Sequence, residues 1–304
     1  MELSKGLFTP LPEVEKNAEV IARPTLTYAQ DVLRRLKNNK VAMFGVILVV
    51  VITLIAIFAP IFYPHDYRTQ NFAIKNQGPS LEHWFGTDTF GRDEFARICY
   101  GARISLTVAY VASILNIVIG VLYGGISGYF GGRVDNIMMR IIDVLYSIPM
   151  MIYVILLMLI FGSGMKSIII ALAISYWMGM ARIVRGEILA LKEQEFVLAA
   201  RTLGASPKRI IIRHLIPNCM GSIIVTLTLM VPQAIFTESF LSFIGLGMSA
   251  PKASWGTLAS DAVQTIALYP SQLIYPSIAI CLTILGFNMF GDGLRDALDP
   301  KMRK

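Results

Sequence analysis

Residues 41–63 read VAMFGVILVVVITLIAIFAPIFY, twenty-three consecutive positions without an acidic or basic side chain. At a helical rise of about 1.5 Å per residue such a run crosses the roughly 30 Å hydrocarbon core of a bilayer. The surrounding chain has the same character. Of 304 residues, 55% are hydrophobic and only 15% charged, against about 25% charged in an ordinary soluble domain, and the mean hydropathy is +0.61. A disordered, collagen-like or disulfide-framework protein is excluded by that composition. The three cysteines, Cys99, Cys219 and Cys281, are odd in number and widely spaced, so they imply no set of bridges.

Working outward from Val41–Tyr63, further uncharged runs fall at Ile104–Gly132, Val144–Met165, Ser167–Ala181 (extended by Ile183 and Val184), Leu215–Thr237 and Ala262–Gly291. The expected fold is all-α, a polytopic membrane protein with six transmembrane helices. The first run starts too late and is too long for a secretory h-region, so a cleaved signal peptide is not expected. Basic residues set the orientation. With the N-terminus placed inside, 20 of the 27 Lys and Arg residues lie on the inner side and 7 on the outer, which puts both termini in the cytoplasm. The net charge of +7 then belongs to the flanks of spans, where it meets anionic head groups; membrane lipid, rather than nucleic acid, is the partner. The divisions expected are a tail over 1–40 whose Leu26, Val32, Leu33 and Leu36 suggest an interfacial helix, a first span over 41–63, an extracytoplasmic loop over 64–103, a five-helix core over 104–292 and a tail over 293–304.

Apparent enzyme signals do not survive inspection. Gly162-Ser163-Gly164-Met165-Lys166-Ser167 lacks the glycine before lysine and the spacing of a phosphate loop. Gly125-Ile126-Ser127-Gly128 resembles the Gly-x-Ser-Gly of an intramembrane serine protease, but a serine nucleophile needs a base, and His65, His83 and His214 all fall outside the spans. The histidines, cysteines and carboxylates suggest no metal constellation. Catalytic residues, metal ligands and bound cofactors are therefore expected to be absent. Gly120, Gly124, Gly128 and Gly132 recur every four residues on one helix face, the spacing that lets membrane helices approach closely. Asp143, Glu238, Asn288 and Asp292 lie near span ends; capping or pairing explains them better than a proton relay, and pathway or gating roles are the other reading.

The informative inner segment is Glu195-Phe196-Val197-Leu198-Ala199-Ala200-Arg201-Thr202-Leu203-Gly204-Ala205-Ser206-Pro207-Lys208-Arg209, continuing to Arg213-His214-Leu215-Ile216-Pro217-Asn218. It predicts two helices meeting at a corner. Phe196, Ala200 and Leu203 are spaced to share a face, Gly204 suits a left-handed helix stop, and Ser206-Pro207 suits a cap and first turn. A short helix with one apolar face and small Ala199 and Ala200 fits a groove on a partner.

These residues resemble the EAA loop of ABC importer permeases. Ala199-Ala200-Arg201-Thr202-Leu203-Gly204-Ala205-Ser206 and His214-Leu215-Ile216-Pro217-Asn218 are similar to the "C" permeases of oligopeptide, dipeptide and nickel importers, as are Phe85-Gly86-Thr87-Asp88 with Gly91-Arg92-Asp93, Glu238–Gly247 and Phe287–Pro300. One departure is Leu198, where the general motif has glutamate. The resemblance implies a type I importer permease whose loop over 186–217 docks on ATPase subunits. Glu195, Phe196, Ala199, Ala200, Arg201, Gly204, Ala205, Ser206, Pro207, Arg213, His214 and Pro217 would carry the coupling. It further implies a homologous second permease, two ATPases that hold the ATP and magnesium, an extracytoplasmic solute-binding protein, and a bacterial or archaeal plasma membrane. Peptide is preferred to nickel as solute on family prevalence, and a stand-alone secondary transporter is the rival class.

Overall fold

A computed structural model describes residues 27–298, and every regular element in it is helical. Thr27 starts the first helix, α1 (Tyr28–Asn38): its Oγ1 accepts from Gln30 N, while the Gln30 side chain accepts from Thr27 N, a reciprocal capping box. Asn39 then turns the chain into α2 (Lys40–Phe62), its Oδ1 accepting from Val41 and Ala42 N. In α1, Leu33 faces outward while Val32 and Leu36 are half-buried, and the helix touches the last helix of the chain. Leu26, the basic residues of positions 1–26 and those of 299–304 lie outside the described residues.

Next come α3 (Glu94–Phe130), α4 (Gly132–Tyr146), α5 (Met150–Phe161), α6 (Met165–Leu191), α7 (Glu195–Thr202), α8 (Pro207–Leu246, with π turns at Ile211–Leu215 and Ser242–Leu246), α9 (Trp255–Val263) and α10 (Ser271–Leu298). Five helices, α2, α3, α6, α8 and α10, are long and apolar enough to cross a membrane; α4 and α5 make a sixth if their 80° bend is counted as one broken span.

Three sequence-based boundaries need correction. The expected unbroken span Val144–Met165 does not form, because Pro149 has no amide hydrogen and drives Ile148 away from helical geometry. The expected outer loop 64–103 ends early, since Asp93 Oδ1 accepts from Ala96 N at 2.7 Å and starts α3 at Glu94 rather than Ile104. The run Ala262–Gly291 divides between the end of α9 and α10, and α10 continues through Leu298, so 293–298 is helical. Cys99 and Cys219 are buried free thiols and Cys281 an exposed one.

The helices α3 and α6 pack along most of their length on the predicted glycine seam. A Cβ on Gly120 would lie 2.8 Å from Trp177 O, on Gly124 2.3 Å from Ala181 O, and on Gly128 2.9 Å from Arg185 O. Gly132 is not part of the seam: it lies past the break at Gly131, with nothing within 4 Å of its would-be Cβ. A second seam, not anticipated, joins α2 to α10, where a Cβ on Gly45 would sit 2.6 Å from Gly286 O and one on Gly293 2.1 Å from Ala42 Cβ. Because backbone cannot yield as a side chain can, Gly124→Ala is expected to lower stability by about 1–3 kcal/mol. Gly221→Ala, with open space around it, should be neutral or stabilising by up to about 1 kcal/mol. Thermal unfolding of the two variants in detergent checks the contrast.

Candidate functional site

The corner forms as predicted. Gly204 adopts φ +77° and ends α7, with Gly204 N donating to Arg201 O and Ala205 N to Ala200 O; Ser206 Oγ accepts from Arg209 N, and Pro207 opens α8. The orientation of α7 differs from expectation. Val197 and Ala200 are buried with Val184, Ile188, Ile210, Ile211 and Leu215, so Ala200 faces its own chain. The outward row is Phe196, Ala199 and Leu203, with Gly204 beside them and Leu203 88% exposed. The expected common face of Phe196, Ala200 and Leu203 is therefore split, because burial of Val197 fixes the roll of a two-turn helix. Glu195 and Arg213 are exposed, His214 and Ala205 half-buried, and Pro217 lines an adjoining cavity. Arg201 lies 5.3 Å over the Tyr129 ring, tying α7 to the end of α3.

That cavity, of about 870 Å³, opens between α6, α8 and α10 and is lined in part by Glu187, Asn218, Ser222 and Arg295. Ser222 Oγ donates to Glu187 Oε1 at 2.7 Å. Sequence reading passed over this pair, although a carboxylate in one helix and hydroxyls at Ser222 and Thr226, one turn apart in an apolar run, were a signal for it.

Of the four ionisable or polar residues named at span ends, Glu238 is fully buried and held by hydroxyls. Ser105 Oγ of α3 donates to its Oε2 at 2.8 Å and Ser242 Oγ to its Oε1 at 2.7 Å, while Ser105 Oγ accepts from Trp255 N at 3.4 Å. The cluster joins α3, α8 and α9. Asp143 accepts from Arg182 Nη2 at 2.8 Å across α4 and α6, both half exposed. Asn288 and Asp292 are exposed one turn apart on α10. The structure does not bring the four together. Ser127 donates to Asp135 Oδ1 at 2.5 Å, and both oxygens of Asp135 accept from Arg185, a junction of α3, α4 and α6 that places no histidine at Ser127.

The loop before α3 is built on carboxylates. Asp88 Oδ1 accepts from Phe90 N and Arg92 N, and its Oδ2 from Arg92 Nε and Arg97 Nη1. Gly91, at φ +68°, lies so close to Asn71 that a Cβ would sit 1.8 Å from its carbonyl oxygen, which explains the glycine in this motif. Asp93, besides capping α3, accepts from Tyr63 OH at 3.0 Å and lies 2.8 Å from His83 Nδ1. Burial first, and then the Asp93 carboxylate, push the Tyr63 phenol up to about 12, so it remains a donor. The histidines, which suggested no constellation in the sequence, are neighbours in the fold. His65 and His83 lie with ring centroids 4.5 Å apart, and Glu82 joins them; folding of the loop brings His65 and His83 together across the seventeen intervening residues.

This arrangement of helices is the fold of an ABC importer permease. Chains from two crystal forms of the inward-facing MetNI methionine ABC transporter align with TM-scores of 0.54 and 0.55 at 18% identity, covering 66% and 67% of this chain and 94% and 96% of theirs. Residues 117–304 match the family described as "Binding-protein-dependent transport system inner membrane component", and residues 27–79 match the "N-terminal TM domain of oligopeptide transport permease C". The chain belongs to that family of binding-protein-dependent inner membrane components. Among its relatives, the oligopeptide transport system permease protein OppC of Bacillus subtilis is 52% identical over 99% of both chains. The dipeptide transport system permease protein DppC of the same organism is 52% identical over 96% of this chain and 92% of its own. OppC of Escherichia coli is 43% identical over the full length of both.

Proposed function

We propose that this chain is a permease subunit of an ATP-driven importer of oligopeptides or dipeptides, forming half of the translocation pathway. The observation that carries the reading is the outward row Phe196–Ala199–Leu203–Gly204 on a short helix, in a chain similar over its whole length to peptide permeases. One of the two ATPase subunits docks on this row, and the pair supplies the ATP and magnesium. A homologous second permease completes the pathway, and an extracytoplasmic binding protein delivers the solute. Both termini lie in the cytoplasm of a bacterial or archaeal plasma membrane.

Force reaches the spans through packing. When the ATPases close, they displace α7, whose Val197 and Ala200 are locked against Ile210, Ile211 and Leu215 at the start of α8 and against Val184 and Ile188 of α6. The displacement is thus delivered to two spans at once, on either side of the cavity that holds Glu187 and Ser222. Mass spectrometry of what copurifies with the tagged chain from native membranes, paired with peptide uptake by the reconstituted complex, tests the proposal. Recovery of two ATPases and a second permease, with ATP-dependent uptake of di- or oligopeptides, is expected. Recovery of the chain alone, or uptake without ATPases, would overturn it in favour of a stand-alone transporter.

A further inference from the structure

The loop between α2 and α3 brings together two histidines and a carboxylate. His65 is half-buried, His83 buried and Glu82 exposed, and one ring nitrogen from each histidine and a Glu82 carboxylate oxygen lie within 4.8 Å of one another. Each imidazole has one nitrogen against an oxygen acceptor. Asp93 Oδ2 sits 2.8 Å from His83 Nδ1, and the Glu82 carbonyl oxygen 3.0 Å from His65 Nε2. An oxygen that only accepts fixes the proton on the nitrogen it faces, which leaves His83 Nε2 and His65 Nδ1 as lone-pair donors. Asp93 is itself held by Tyr63 OH at 3.0 Å and by its cap on Ala96 N. A histidine backed by a carboxylate or carbonyl is the usual outer shell of a zinc ligand.

We propose that His65, His83 and Glu82 bind a divalent transition-metal cation of the zinc type. Two imidazoles and a carboxylate match the borderline character of that ion and leave a position for water. A cavity of about 250 Å³ beside the three side chains gives it room. Bonds of about 2.0–2.1 Å at tetrahedral angles need donors about 3.3 Å apart, so the three side chains draw together from within 4.8 Å when the ion binds. The metal fastens the chain leaving α2 to the chain entering α3: His65 follows Tyr63, the C-cap of α2, and Asp93 is the N-cap of α3.

The test uses the full-length chain with a histidine-free affinity tag, stripped with EDTA and titrated with cobalt(II), whose visible d–d absorption reports a low-coordinate site. One equivalent of cobalt is expected to bind with that absorption and to be displaced by zinc. H65Q should abolish the absorption, E82Q should remove one ligand and change it, and D93N, which acts through His83, should weaken binding by about 10–100-fold. Zinc should protect residues 64–93 from proteolysis in the parent chain and not in H65Q. Because His65 is half-buried, H65Q should keep the parent's melting temperature without metal, so loss of binding is separable from loss of fold. No absorption with excess cobalt, or equal binding and protection in H65Q, would overturn the proposal.

Discussion

A chain carrying Leu203→Asp is expected to insert, fold and melt like the parent while losing its ATPase partners. Leu203 is 88% exposed, so within the chain the change is a surface substitution, worth less than about 0.5 kcal/mol. At a docked interface the same position becomes an apolar anchor beside Phe196, and such anchors cost about 2 kcal/mol or more when lost, roughly thirty-fold in affinity. Introducing a carboxylate that must be desolvated adds to that loss. Quantitative mass spectrometry of the purified complex, with a melting curve of the chain alone, separates the two effects; full ATPase recovery would remove this row as the docking surface. Gly204→Glu is a poorer probe, because φ +77° strains any side chain there by about 1–2 kcal/mol. Ala200→Asp would act through folding, as it buries a charge against Val197 and Ile210.

The second large effect is expected at Glu238. Glu238→Ala removes the acceptor of Ser242 Oγ and of Ser105 Oγ, both buried. Buried hydroxyls stripped of partners cost about 1–3 kcal/mol each, and Ser105 keeps its bond from Trp255 N, so a loss of about 2–4 kcal/mol is predicted. Glu238→Gln keeps one acceptor and one donor, and rotation of the serine hydroxyls should recover about half. Thermal unfolding measures both. If Glu238→Gln instead leaves stability untouched and stops transport, the residue works in gating rather than in joining α3, α8 and α9.

The spans were legible because lipid imposes a crude rule, about twenty uncharged residues, that composition cannot hide. The break at Ile148-Pro149 escaped the same rule: an apolar run reads as continuous whether or not its backbone turns 80°. Gly120, Gly124 and Gly128 were readable as a seam because period four puts them on one face. Gly132 shares the period, but the helix stops at Gly131, where φ is +63°. Around α7 the motif gave the corner and missed the roll, since the sequence offers two apolar faces and only the packed start of α8 selects Val197. His65 and His83 could not be paired from sequence, because nothing local announces that the intervening chain folds back on itself.

The length of α3 has a mechanical consequence. Its 37 residues make a rod of about 55 Å, some 25 Å longer than the hydrocarbon it crosses. The surplus at the Glu94 end carries the Asp88–Arg92–Arg97 cluster, fixed to the rod by charged hydrogen bonds. The rod is thus a lever with its fulcrum in the bilayer: a tilt of about 10° at the midplane moves the far tip by roughly 5 Å. Through the Gly120–Gly128 seam the same rod is gripped by α6. Displacement at the corner of α7 and displacement of the loop on the opposite side are then two readings of one angle.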